Sequence, residues 1–141
     1  HIEAYAVPYD LIGLSYYPWW HGTLTALQAN LQATAGRYGR DIMVVETSYP
    51  WRAGGWESMA TNPTAMTWPV SRTGQARFLR DVAQVVAATQ GDRGIGVIWW
   101  YPEAIQVPGL FIWGGGSLSL YDATGNLNPA ALEFVDGAGA R

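Results

Sequence analysis

Ile42-Met43-Val44-Val45 is an unbroken apolar run that stops on Glu46-Thr47-Ser48-Tyr49-Pro50. Four apolar residues without polar alternation fit a strand covered on both faces, as in parallel sheets. Upstream, Leu11-Ile12-Gly13-Leu14 repeats the pattern and ends near Tyr17-Pro18. Between the two runs, Thr23 is placed to cap a helix with apolar positions Leu24, Leu27 and Leu31, and Gly36 and Gly39 are candidate stops. Downstream comes an aperiodic stretch, 51–70, with three Trp and two Pro. Its length suits a working loop. Ser71 or Thr73 then opens a helix whose stripe is Phe78, Leu79, Val82, Val85 and Val86, with Gly91 as its expected close. Ile95 to Trp99 reads as a third strand, running on into Trp100-Tyr101-Pro102. A second long loop crosses Gly114-Gly115-Gly116 and reaches Asn128-Pro129, an N-cap and N1 pair for a last helix with Leu132 and Val135.

The order β–α–β–α–β–α, with apolar strands and amphipathic helices, predicts an α/β fold with a parallel sheet and right-handed crossovers. In each unit the polar and aromatic residues gather just past the strand's C-terminal end. Binding sites of barrels and open parallel sheets form there. Periodicity does not separate those two architectures. A complete (β/α)₈ barrel needs roughly 250 residues, so three units would make less than half of one.

Bulk properties narrow the function. Hydrophobic residues make up 49% and charged residues only 13%, a balance that expects part of the surface to pack on something else. The net charge is −3 and no basic cluster occurs, so nucleic acid is not an expected partner. No apolar run is long enough to cross a bilayer, and no membrane partner is expected. There is no cysteine, and two isolated His with no dense acidic run give no metal-binding spacing. The chain opens on His1, as expected of a piece whose front has been removed.

Glu46 is the sharpest chemical signal. A carboxylate directly after a buried strand sits at the sheet mouth, where burial and neighbours tune it; backbone or Arg pairing is the structural alternative. Tyr16, Tyr17, Trp19, Trp20 and His21 follow the first strand, and most of them suit packing on the next helix. Strand alternation sends Trp99 and Trp100 to opposite sides, Trp100 toward the mouth and Trp99 into the core. Glu57, Glu103 and Asp122 are further carboxylates in loops, where solvation is the simpler role. The glycine triplet suits either a cleft wall beside Trp113 or a phosphate cradle, the latter disfavoured because no Lys or Arg lies close in sequence.

Two long motifs carry a resemblance. Tyr9-Asp10-Leu11-Ile12-Gly13-Leu14-Ser15-Tyr16-Tyr17-Pro18-Trp19-Trp20-His21-Gly22 resembles the sixth-strand signature of family 53 glycoside hydrolases. Val44-Val45-Glu46-Thr47-Ser48-Tyr49-Pro50-Trp51 resembles that family's seventh-strand signature. Gly94-Ile95-Gly96-Val97-Ile98-Trp99-Trp100 is similar to its eighth, and 118–132 to its C-terminal end. The resemblance implies that 1–141 is the C-terminal part, strands six to eight, of a (β/α)₈ barrel lacking strands one to five. It implies a retaining endo-β-1,4-galactanase acting on pectic arabinogalactan outside the cell, with no cofactor. By the same resemblance Glu46 is the nucleophile, and its acid/base partner belongs to strand four and is absent. Tyr17 is expected to hydrogen-bond Glu46, Trp100 to floor the sugar site, and Ser15, Tyr16, Trp51 and Trp113 to contact substrate.

Departures qualify the carry-over. Relatives often have a Trp-Glu-Pro-Ala-Trp-like run after strand eight, and here it reads Trp100-Tyr101-Pro102-Glu103-Ala104. Some bacterial relatives hold calcium in an acidic loop after strand seven. Here that loop begins Arg52-Ala53-Gly54-Gly55-Trp56, so no calcium is expected. The chain alone is expected to be inactive, and unstable through its open sheet edges. Three other readings stand: a clan-related hydrolase of another β-1,4-glycan, a non-catalytic galactan-binding piece, and a phosphate-binding half-barrel.

Overall fold

The computed structural model describes residues 5–136. Strands β1 (Leu11–Tyr16), β2 (Asp41–Thr47) and β3 (Gly94–Trp99) form a parallel sheet in the order β1-β2-β3. A single turn of helix, α1 (Pro18–His21), follows β1 directly. Helices α2 (Leu24–Tyr38) and α3 (Arg72–Ala87) make the two crossovers. The expected parallel α/β arrangement is therefore present.

Thr23 caps α2, its hydroxyl accepting from the Ala26 N–H at 3.3 Å. Gly39 ends that helix at φ 59°, a left-handed conformation that favours glycine. Gly36, the other candidate stop, lies inside α2. Ser71 caps α3 by accepting from Gly74 N–H at 3.0 Å. That helix ends at Ala87, before Gly91, which instead takes φ 70° in the following 3₁₀ turn.

The last helix differs from expectation. Asn128 precedes a 3₁₀ turn, Pro129–Leu132, and then a single α turn, α4 (Glu133–Asp136). The Asn128 side chain makes no cap; its amide donates to the Ser119 carbonyl at 3.4 Å. Leu132 is exposed, and the Val135 side chain lies outside the described residues.

The core lies between the sheet and its helices. Ile12, Leu14, Tyr16, Ile42, Val44, Val97 and Trp99 face Leu27, Leu31, Phe78, Leu79, Val82 and Val86. Phe78 is its hub, stacked on Tyr49 at 4.7 Å and edge-on to Trp68 at 5.2 Å and Trp99 at 6.2 Å. Aromatic pairs in such geometries add about 0.5–1.5 kcal/mol each beyond area burial. The other sheet face carries Leu11, Gly13 and Ser15 of β1 and Ile98 of β3, and Leu11 and Ile98 are exposed. In a (β/α)₈ barrel, the architecture the strand motifs resemble, this is the face that points inward.

Candidate active site

A β-bulge aims Glu46. The pairing runs Leu11↔Asp41 through Leu14↔Val44, then jumps to Ser15↔Glu46, leaving Val45 as an extra residue on β2. Strict alternation would put Glu46 on the face of Ile42 and Val44, which is the buried core. The bulge breaks that parity. Val45 and Glu46 are both half-buried, and Thr47 returns to the core. Gly13 makes room on the opposite strand, because a Cβ there would meet both Val45 methyls at 3.0 Å. Bulges commonly re-aim a side chain in this way.

Glu46 is held at both oxygens. The Tyr17 hydroxyl donates to Oε1 at 2.6 Å and the Ser15 hydroxyl to Oε2 at 2.9 Å. The Tyr17 distance is that of a charge-assisted bond. Burial, then the hydrogen bond to Glu46 and its charge, push the Tyr17 phenol well above its usual range. The phenol therefore stays protonated and remains a donor at any ordinary pH. Its ring is pinned by Trp20 at 5.0 Å, Trp19 at 5.1 Å and Trp113 at 5.7 Å. His21 is structural, its Nδ1 accepting from the Tyr17 backbone N–H at 2.9 Å.

A chain of aromatic rings runs from Tyr17, which holds the carboxylate, to Trp100. Trp99 is 5% exposed, with its indole N–H on the Leu118 carbonyl, whereas Trp100 is 41% exposed. The opposite orientations expected of this pair are observed. Trp100 touches Tyr101 at 5.1 Å, Tyr101 touches Trp113 at 6.3 Å, and Trp113 reaches Tyr17. Tyr101 adopts φ 53°, a conformation that strains a residue with a side chain. No sequence signal marks it, although it bridges Trp100 to Trp113.

One expected contact residue is corrected. Tyr16 is 1% exposed, stacks near Phe78 at 6.2 Å, and donates its hydroxyl to the Gly22 carbonyl. It shares the core-facing parity of Ile12 and Leu14, so it is packed away from the mouth. Counting alternate residues from Ile12 along the strand gives this result.

Trp51 and Arg52 seam two loops together. The Trp51 backbone N–H donates to Ser117 O at 2.9 Å and its indole N–H to Gly116 O at 3.3 Å. The guanidiniums of Arg52 and Arg72 lie over its ring at 5.2 and 5.3 Å. Arg52 also donates to Gly115 O at 2.8 Å and to Gln106 Oε1 at 3.2 Å. Gly55 has φ 94°, and a Cβ there would lie 2.6 Å from Gly114 C and Gly115 N. Only glycine allows the two backbones to meet so closely. Buried Gln75 braces the same region, its amide donating to Tyr49 O at 2.8 Å and Ser119 O at 3.0 Å. The carbonyls of Gly114, Gly115 and Gly116 all accept from this chain, and the Gly115 N–H donates to Ile112 O. The turn carries Trp113, whose ring meets those of Tyr17 and Tyr101.

The remaining carboxylates are placed elsewhere. Glu57 accepts from the Gly54 N–H at 2.9 Å, and Glu103 is exposed in the loop after β3. Asp122 pairs with Arg72 at 3.0 Å and organises the turn to Asn126. Hydrogen bonds, first from the Thr124 hydroxyl and then from the Asn126 backbone, hold its carboxyl well below the usual carboxylate range. Among the described residues no group of three or more His, Cys, Asp or Glu is placed to hold a metal ion.

Comparison with known proteins adds a second line. The sequence profile of glycosyl hydrolase family 53 matches residues 1–134. An endo-β-1,4-galactanase of Bacillus subtilis is 43% identical over 105 residues, covering 72% of this chain and 24% of that protein. An arabinogalactan endo-β-1,4-galactanase of Cellvibrio japonicus is 33% identical over 139 residues, covering 91% of this chain and 36% of that one. The structure of the Ignisphaera aggregans GH53 catalytic domain superposes with a TM-score of 0.83 at 26% identity, covering 94% of this chain and 40% of its own. This chain thus spans well under half the length of each.

Proposed function

Because this chain belongs to glycosyl hydrolase family 53, and its sheet is the strand six to eight portion of a (β/α)₈ barrel, we propose that the complete protein hydrolyses β-1,4-galactan. The reading is of an endo-acting enzyme, in line with the names carried by its relatives, and of a retaining one, as the resemblance of its motifs implies. The observation that carries it is Glu46 at the sheet mouth with a donor on each carboxylate oxygen.

Retaining hydrolysis uses two carboxyl groups about 5–5.5 Å apart. In this reading Glu46 attacks the anomeric carbon as the bond to the leaving oxygen breaks. The second carboxyl, supplied by a part of the barrel outside this chain, protonates that oxygen. Water then displaces Glu46, its proton passing to the second group. Tyr17 fixes the orientation of the nucleophile through its bond to Oε1. Trp100 floors the site and Trp113 walls it, since flat apolar ring faces suit sugars. A polymer of this kind does not cross a bilayer, so the reading places the enzyme outside the cell. Without its second carboxyl the chain by itself releases no product.

The test is Glu46→Ala in the complete protein, assayed on β-1,4-galactan beside other β-1,4-glycans. Turnover should vanish. Added azide should restore cleavage of an activated aryl galactoside and give the α-galactosyl azide. Activity near that of the wild type would remove Glu46 from the mechanism, and preference for another glycan would reassign the substrate.

A further inference from the structure

Ser15 and Glu46 are exact partners in the strand register only because of the bulge at Val45. The serine hydroxyl lies on the barrel face and donates to Glu46 Oε2 at 2.9 Å, while Tyr17 occupies Oε1. We propose that Ser15 is a positioning residue that promotes the second half of the reaction, the release of sugar from Glu46. This rests on the reading of Glu46 as nucleophile.

The argument concerns charge. Free Glu46 carries its negative charge over both oxygens, and both accept strongly. In the glycosyl-enzyme one oxygen is bonded to the sugar and the other is an ester carbonyl, a weaker acceptor. During release the water oxygen bonds the anomeric carbon and the bond from that carbon to Glu46 breaks. The electron pair returns to the carboxylate, and the water proton goes to the second carboxyl. Charge therefore grows on Glu46 as this transition state forms, and the Ser15 hydrogen bond strengthens with it. In the first half charge leaves Glu46, so the same bond gives no assistance there. Tyr17 is buried, whereas Ser15 is exposed at the mouth.

The halves are separable with a 2-deoxy-2-fluoro β-galactoside carrying a dinitrophenyl leaving group. It traps the glycosyl-enzyme, and after removal of excess reagent the return of activity reads release alone. In the complete enzyme, Ser15→Ala should slow release about tenfold, the effect of losing part of a hydrogen bond to a charged group. Its rate of trapping should stay within about threefold of wild type, since that step gains nothing from the donor. Ser15→Thr, which keeps the hydroxyl, should restore release. Equal slowing of both steps would mean a purely structural role and would overturn the proposal, as would unchanged release. A wild-type enzyme that neither traps nor turns over would sink the nucleophile reading itself, and this inference with it.

Discussion

Replacing Tyr17 by Phe removes one oxygen and leaves a ring with the same neighbours. Trp19, Trp20 and Trp113 still hold it at 5.1, 5.0 and 5.7 Å. The lost contact is the 2.6 Å bond to Glu46 Oε1. Hydrogen bonds to charged groups are worth about 1.5–3 kcal/mol. At about 1.36 kcal/mol per tenfold in rate, that predicts a fall of up to about 10- to 150-fold in the release of sugar from Glu46, the step in which charge returns to the carboxylate. The cost to folding should not exceed that same range of about 1.5–3 kcal/mol, and should lie toward its low end because Glu46 keeps Ser15 and is only half-buried. The assay is the return of activity in the complete enzyme after trapping with the 2-deoxy-2-fluoro galactoside, paired with a thermal melt. A Tyr17→Phe enzyme within twofold of wild type would refute the claim that this hydroxyl supports the nucleophile. A similar loss of rate accompanied by a collapsed melting temperature would transfer the effect to stability.

Phe78→Ala, at the aromatic hub of the core, should destabilise the complete protein by about 3–5 kcal/mol in denaturant unfolding; a loss below about 1 kcal/mol would mean that the hub collapses around the gap. Gly55→Ala should separate the two rim loops, because its Cβ has no space and its φ of 94° disfavours a side chain. The readout is a shifted tryptophan emission with a raised KM, and an unchanged spectrum would contradict the seam. Burial pushes the phenols of Tyr16, Tyr17 and Tyr49 above their ordinary value of about 10. Their protonated forms are thus favoured in the folded state, and this stability is complete below pH 10. Above that pH the unfolded chain releases protons that the folded one retains, so stability should fall as pH rises, with phenolate absorbance from these tyrosines appearing only on unfolding.

Much of this arrangement is legible in local sequence. The apolar runs ending at Leu14, Val45 and Trp99 mark the strands because parallel strands are covered on both faces. Thr23, Ser71 and Gly39 announce helix ends by side-chain chemistry that needs no tertiary context. Glu46 is visible as a carboxylate at a strand end, but its direction is not. Val44-Val45-Glu46 contains nothing that signals a bulge, which arises from how β2 pairs with β1. Tyr101 is hidden for the same reason, since its strained backbone is imposed by the rim around it. The brace from Gln75 and the seam from Arg52 join segments more than 25 residues apart, beyond any short window. Tyr16 is different: its burial follows from parity counted along a regular strand.

The loop seam has an implication for change over time. Arg52 and Trp51 grip backbone oxygens of Gly115, Gly116 and Ser117, and every residue type offers those atoms. Of the partners Arg52 finds across the seam, only Gln106 contributes a side chain. The tip beyond it, with Leu110 and with Phe111 92% exposed, is not part of that grip. Mutations can accumulate on this brim without disturbing how Trp113 meets Tyr17. Variation has here a region to edit while the seam behind Trp113 stays as it is.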